Sequence, residues 1–174
     1  MNYMNVPSQF NWESLGDIGE GRTNLGDQMP VVVYRLFQYA LKDILVREYD
    51  EEVAKELYRA AGHLAGIHFA RNALDLSGDF DFFVTNLQKQ LVDLKIGILR
   101  IERADLSTLS MTLTVSEDLD CSGLPVTDET VCDYDEGFIA GILEAYTGKR
   151  FEVKEIDCWA SGDRTCRFSA NVVS

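Results

Sequence analysis

Proline and histidine are scarce in this sequence, with 3 and 2 copies in 174 residues, and basic residues are few. The 16 lysines and arginines stand against 29 acidic residues, a formal net charge of −13. Such a surface repels phosphate backbones, which argues against nucleic acid or an anionic membrane as a direct partner. No apolar run is long enough to span a bilayer, and Met1-Asn2-Tyr3-Met4 is not a basic region leading into an apolar core. The expected location is therefore cytoplasmic. There thiols stay reduced, and grouped cysteines more often serve a metal than a disulfide. The chain also lacks a C-x-x-C pair, a phosphate-binding loop, repeats and low-complexity tracts. Gly19-Glu20-Gly21 follows no strand and has no third glycine in register, so it is no dinucleotide fingerprint.

What is present reads as one domain, long enough to bury roughly two-thirds of its unfolded surface. Residues 1–29 form a glycine-rich, polar arm with Trp12, Leu15 and Ile18 as apolar anchors, and 30–174 form the domain proper. Pro30 opens a helix in which Val33, Leu36, Phe37, Ala40, Leu41, Ile44 and Leu45 recur at helical spacing to about Tyr49. A second helix runs from near Asp50 to about Leu74, with Val53, Leu57, Ala60, Ala61, Leu64 and Ala65 on its apolar side. Gly62 and Gly66, one turn apart, imply tight helix packing or a dimer face, since each costs about 1 kcal/mol of helix propensity. His63 and His68 lie on this helix roughly 140° apart, so they form no shared metal pair. His68 is open to two readings, a pocket hydrogen-bond donor or a histidine satisfied by backbone. A third helix starts near Asp81, and its Phe80, Phe82, Phe83, Leu87, Leu91 and Leu94 suit either a core or the wall of an apolar cavity.

After Lys95 the period changes to two. Ile96 to Arg103 and Leu109 to Ser116 read as strands, and a loop follows from Glu117 to Thr130. A helix from about Cys132 to Tyr146 carries Asp133, Asp135 and Glu136 at its positive amino end and Gly148 at its cap. Strands over 151–157 and 165–172 complete the pattern. The expected architecture is α+β, with helices on one side of a roughly four-stranded, mainly antiparallel sheet.

Cys132, Glu155, Cys158 and Cys166 are spaced 23, 3 and 8 apart in this last stretch. Glu155 shares the parity of Phe151 and Val153, so a carboxylate stands where the strand calls for a core residue. A buried lone carboxylate is costly unless it is paired or coordinates a cation. Cys166 shares the parity of Phe168, Ala170 and Val172, and a Gly162-Asp163 turn brings it back toward Cys158. Thiolates with a carboxylate suit a tetrahedral zinc site, although cysteine also packs as a small buried hydrophobe. Cys121 is open to three readings: a spare buried thiol, a substitute ligand, or a reactive group at a pocket mouth.

The run Cys132, Gly137-Phe138-Ile139-Ala140-Gly141, then Glu155-x-x-Cys158-x-Ala160-x-Gly162-Asp163-x-x-Cys166-x-Phe168, resembles the 4-vinyl reductase domain family. That family includes the sensor domains of aromatic-responsive bacterial activators, and its fold extends to vesicle-tethering subunits that pair and can enclose an acyl chain. The resemblance implies structural zinc on Cys132, Glu155, Cys158 and Cys166, fixing a carboxyl-terminal lobe. It also implies a pocket for a hydrophobic or aromatic molecule, for which His68, Phe83, Met111 and Trp159 are the candidate lining residues. The expected function is a non-enzymatic, homodimeric small-molecule binding or sensor domain. Two alternatives stand beside it: a tetrapyrrole carrier or vinyl-reductase-associated protein, and a structural homodimeric docking subunit.

Overall fold

The structure, a computed structural model, describes residues 8–173. Residues 1–7 of the expected arm therefore lie outside the described residues. From Ser8 the arm carries a 3-10 turn at Trp12–Leu15 and a single-turn helix α1 at Ile18–Gly21. Asn11 and Asp17 cap these through hydrogen bonds to the amides of Ser14 and Glu20. Trp12 packs on the core, whereas Leu15 and Ile18 are largely exposed. The Phe10 ring meets His68 edge-on at 5.0 Å, so the arm lies across the domain.

Helices α2 (Val31–Glu48), α3 (Glu51–Ala73) and α4 (Phe80–Asp93) follow in order. Their starts obey local chemistry: the Asp50 carboxylate accepts from the Val53 amide at 2.8 Å, and Asp79 accepts from Phe82 at 3.0 Å. Strands β1 (Ile98–Asp105) and β2 (Ser110–Ser116) come next, then helix α5 (Asp133–Thr147). Gly148 ends α5 in the left-handed conformation, φ 70°. Strands β3 (Phe151–Asp157) and β4 (Cys166–Val172) form the final hairpin.

The four strands make an open antiparallel sheet in the order β1-β2-β4-β3. Along β3, Phe151, Val153 and Glu155 are buried and alternate with exposed Glu152, Lys154 and Ile156. Along β4, Cys166, Phe168 and Ala170 are buried on the same face. A register shift between Glu155 and Asp157 ends this alternation and redirects the chain toward Cys158.

Helix α5 lies against the buried face of the sheet, and α3 is pressed onto α5. The contact is nearly backbone to backbone. A Cβ at Gly62 would lie 2.0 Å from the Tyr134 carbonyl oxygen, and one at Gly66 2.2 Å from that of Phe138. Reciprocally, Cβ atoms at Gly137 and Gly141 would lie 2.0 and 2.2 Å from the carbonyl oxygens of Arg59 and His63. The glycines thus serve packing within the chain, and Gly62 and Gly66 do not form a dimer face. This also reverses the expected face of α3. Its buried side is Ala54, Tyr58, Gly62, Gly66, Phe69 and Ala70, while Ala60 and Ala61 are exposed. Hydropathy favours the alanine and leucine stripe, but the closeness that only glycine permits wins.

Helix α2 departs from the usual pattern. Its one buried residue is Gln38, and Leu36 and Phe37 are 72% and 69% exposed. Its apolar stripe faces outward and joins Leu57 and Ala61 of α3 around an open groove. What fixes α2 is a set of polar contacts to the loop after β2, described below.

Gly66→Ala gains about 1 kcal/mol of helix propensity. The new methyl meets a carbonyl that neither helix can withdraw, so overpacking costs about 3 kcal/mol or more. The expected net effect is a fall in Tm of several degrees, on the order of 4–8 °C for a domain of this size. Thermal denaturation followed by circular dichroism checks this, and an unchanged or raised Tm contradicts it.

Candidate metal centre and adjoining cavity

Four segments deliver one cysteine each to the same point. Cys121 comes from the loop after β2, and Cys132 is the amino-terminal cap of α5. Cys158 follows β3, and Cys166 opens β4. All four are buried, free thiols. Their sulfurs lie within 4.8 Å of one another, with Cys132–Cys158 and Cys132–Cys166 both at 3.8 Å and Cys121–Cys166 at 3.0 Å. An ion bonded to four sulfurs at about 2.3 Å in a tetrahedron separates them by roughly 3.8 Å. The set therefore has the size of a single-ion site. An iron–sulfur cluster interposes several atoms between its thiolates and needs a wider ring.

The chemistry of the donors agrees with the geometry. The Cys158 thiol is driven down by the neighbouring Cys121, Cys132 and Cys166 thiols, so the first negative charge falls there. Cys132 and Cys166 are driven up, chiefly by the Cys121 thiol. Each further thiolate is opposed, and only a cation relieves the whole set. Glu155 does not join the sulfurs. Its Oε2 accepts the Cys132 amide at 3.1 Å, and its Oε1 is sealed from solvent without a hydrogen-bond partner. Burial, then the charge of Cys158, pushes the Glu155 carboxyl up to about 8.

Local turns set the sulfurs in place. After Cys158, Ser161 and Asp163 return amides to the Cys158 carbonyl at 3.1 and 3.0 Å, and Gly162 takes φ 104°. Before Cys121, the Asp118 carboxylate accepts the amides of Asp120 at 2.8 Å and Cys121 at 3.0 Å. Helix α2 then clamps this loop. Tyr34 and Gln38 donate to the Asp120 carboxylate at 2.8 and 2.7 Å, Tyr39 donates to the Asp120 carbonyl, and Arg35 donates to the carbonyls of Leu119 and Ser122.

Beside the cysteines a cavity of about 40 Å³ lies between α4, α5 and the sheet. Its walls are apolar except at one end, where Asp118 and Asp135 face it. Asp135 heads the α5 stripe that continues through Phe138, Ile139 and Ile142, and Asp118 follows the β2 stripe of Met111, Leu113 and Val115. One oxygen of each carboxylate and the Cys132 sulfur lie within 4.8 Å of one another. Asp135 Oδ2 has no hydrogen-bond partner. Burial, then Asp120, pushes Asp118 up to about 7; burial, then Asp118, pushes Asp135 well above the ordinary carboxylate range.

The structure thus brings Cys132, Cys158 and Cys166 together, with Glu155 alongside, and adds Cys121. Phe83 and Met111 line the cavity. His68 and Trp159 do not: α3 contributes no lining residue, and the Trp159 indole donates to the Leu124 carbonyl at 3.1 Å. The sequence reading missed Asp118 and Asp135 as site residues. Their signal was a carboxylate at helical or near-strand spacing from wholly apolar positions. At the start of a helix it was masked by the ordinary preference of acids for that end.

Residues 111–172 match the family model of the 4-vinyl reductase domain, which bears out the resemblance carried by the carboxyl-terminal motif. An uncharacterized protein of Methanocaldococcus jannaschii is 34% identical over 55 residues, covering 32% of this chain and 34% of its own. A second from that organism is 26% identical over 107 residues, covering 62% and 61%. The matches span a third to three-fifths of these relatives. Among solved structures, the phenol-responsive sensory domain of the transcription activator PoxR, bound to phenol, aligns at TM-score 0.65 and 16% identity, over 83% of this chain and 75% of its own. A vinyl-4-reductase family protein of M. jannaschii aligns at 0.63 and 19%, over 97% and 100%. A trafficking protein particle complex subunit 3 from Naegleria fowleri, covalently bound to palmitic acid, aligns at 0.65 and 11%, over 83% and 95%. Identities this low establish a shared fold.

Asp118 gives a pH test on metal-free protein. Its folded pKa of about 7 exceeds the ordinary 3.8, so the unfolded chain releases this proton first. The stability it contributes is complete below about pH 4 and is lost as pH rises to 7. Tm should fall across that window, and Asp118→Asn, which keeps an oxygen for the turn, should flatten the fall. An equally steep profile in the variant contradicts the assignment.

Proposed function

We propose that the chain is a non-enzymatic module that encloses a small hydrophobic or aromatic molecule between α4, α5 and the sheet, braced by a structural zinc ion. The observation that carries this reading is the apolar cavity built against four converging thiols. Cys121, Cys132, Cys158 and Cys166 would hold the ion. Bound there, zinc supplies a cross-link between the post-β2 loop, the start of α5 and the last hairpin. Four protein ligands leave no open position for a substrate.

This assignment changes one member of the expected set. Cys121 replaces Glu155, whose carboxylate holds the Cys132 amide and so orients the sulfur. The likeness in fold to a phenol-bound sensory domain supports a small aromatic guest. Size supports it too. By the same measure a single water needs roughly 10–15 Å³, so a cavity of about 40 Å³ admits one ring only by displacing the adaptable Met111 side chain. A tetrapyrrole would require the walls to part, which disfavours the carrier alternative.

The groove between α2 and α3 supports a second reading, of the same module as a homodimer. Helix α2 leaves Val32, Leu36, Phe37 and Ile44 in the open, an apolar run that monomers seldom expose. Among the described residues no helix is long and apolar enough to cross a membrane.

Protein purified without added chelator should contain one zinc per chain by elemental analysis. Cys121→Ser should lose it and melt about 10 °C lower, the effect expected when about 4 kcal/mol of metal linkage is removed. Glu155→Gln should retain it. Zinc kept by Cys121→Ser and lost by Glu155→Gln would reverse the ligand assignment. Light scattering should give twice the chain mass, and Phe37→Glu should return it to a single chain.

A further inference from the structure

The acidic group at the start of α5 divides in two. Asp133 is paired with Arg59 at 2.7 Å and Lys42 at 3.2 Å, and Glu136 with Arg59 at 2.5 Å and Lys154 at 3.2 Å. Glu136 also accepts the Glu155 amide at 2.9 Å. These two carboxylates are fully answered by the fold. Asp135, between them, turns the other way, into the cavity, where no cation or donor faces it. Asp118 meets it there and is 4% exposed. Its Oδ1 is taken by two amides of its own turn.

The cavity therefore has one chemical signature: hydrocarbon on every wall and hydrogen-bond acceptors at one end. Burying carboxylates without a partner is among the most costly arrangements a fold can contain, unless a donor arrives from outside. An anionic guest is repelled, and a guest with no polar group leaves Asp135 Oδ2 unanswered. A bare metal ion is poorly served. Cys132 already belongs to the sulfur cluster, and two carboxylates in an apolar enclosure fall short of the oxygens that hard cations gather. A protonated amine on a small ring or short chain meets both demands, its apolar body against Phe83, Met111 and Ile142 and its N–H groups on the acids.

We propose that the guest is a small amphipathic amine, its ammonium held by Asp118 and Asp135 at the closed end of the cavity. The proposal rests on the reading of this cavity as a ligand site, and adds the polar half of the ligand to it. Asp118 and Asp135 are then the specificity-determining residues, separating amines from alcohols, hydrocarbons and acids of the same shape.

Benzylamine, benzyl alcohol, toluene and benzoate, titrated calorimetrically into the full chain at pH 7, test it. Benzylamine should bind at least about tenfold more tightly than benzyl alcohol, the scale of a hydrogen bond to a charged group, and benzoate should not bind. Asp135→Asn preserves shape and removes the charge. It should lower benzylamine to the level of benzyl alcohol while leaving toluene within about twofold, and Asp118→Asn should act in the same direction. If toluene and benzyl alcohol bind and benzylamine is no tighter, the amine assignment fails and the cavity reading stands. If benzylamine keeps its advantage in both variants, the carboxylates are not its anchor and the assignment fails. If none of the four binds, the cavity reading fails and this inference with it.

Discussion

The close approach of α3 and α5 is the constraint on which the arrangement depends. Two glycines on each helix let carbonyl oxygens of one reach the Cα atoms of the other, and no side chain is interposed. Helices packed this closely have little freedom to rotate. With α3 fixed on one side, the opposite stripe of α5 is forced toward the sheet. That stripe begins at Asp135, and the helix it belongs to begins at Cys132. One backbone contact therefore sets both the sulfur at the head of α5 and the carboxylate that enters the cavity three residues later.

Charge is distributed with the same economy of position. The chain is strongly acidic, yet Arg59, Lys42 and Lys154 are gathered around Asp133 and Glu136 rather than spread over the surface. These partly buried pairs staple α2, α3 and β3 to the start of α5. The remaining buried acids, Asp118, Asp135 and Glu155, lie around the sulfur cluster without a paired cation and are held protonated toward neutral pH. Such a concentration of unanswered acid beside four thiols opposes the metal-free fold, and a divalent ion offsets it directly.

Much of this was legible in the sequence. The helices and strands begin and end within about two residues of where their caps and periodicities put them. Asp50, Asp79 and Gly148 mark boundaries by chemistry that acts locally. The alternation of Phe151, Val153 and Glu155 identified a carboxylate on a core face, and the Gly162-Asp163 turn was enough to return Cys166 to Cys158. Properties set by distant partners were less legible. The buried side of α3 is chosen by glycines on α5, 75 residues further on, against the local hydropathy of Leu57, Ala61 and Leu64. The outward stripe of α2 looks like any core-facing helix, because periodicity shows that a face is apolar and not what covers it. Cys121 lies in a loop without regular spacing, and only its clamp from Tyr34, Gln38 and Arg35 carries it to the other sulfurs.

That clamp makes residues 118–121 a junction. Within four positions the chain offers a carboxylate to the cavity, another to α2 and a sulfur to the metal centre, all held by one turn. A guest that draws Asp118 inward must pull on the anchor of α2, and α2 has little packing of its own to resist. The outermost helix is thus wired to the innermost cavity through hydrogen bonds alone, and its greasy outer surface is where an occupied interior would first become visible to another protein.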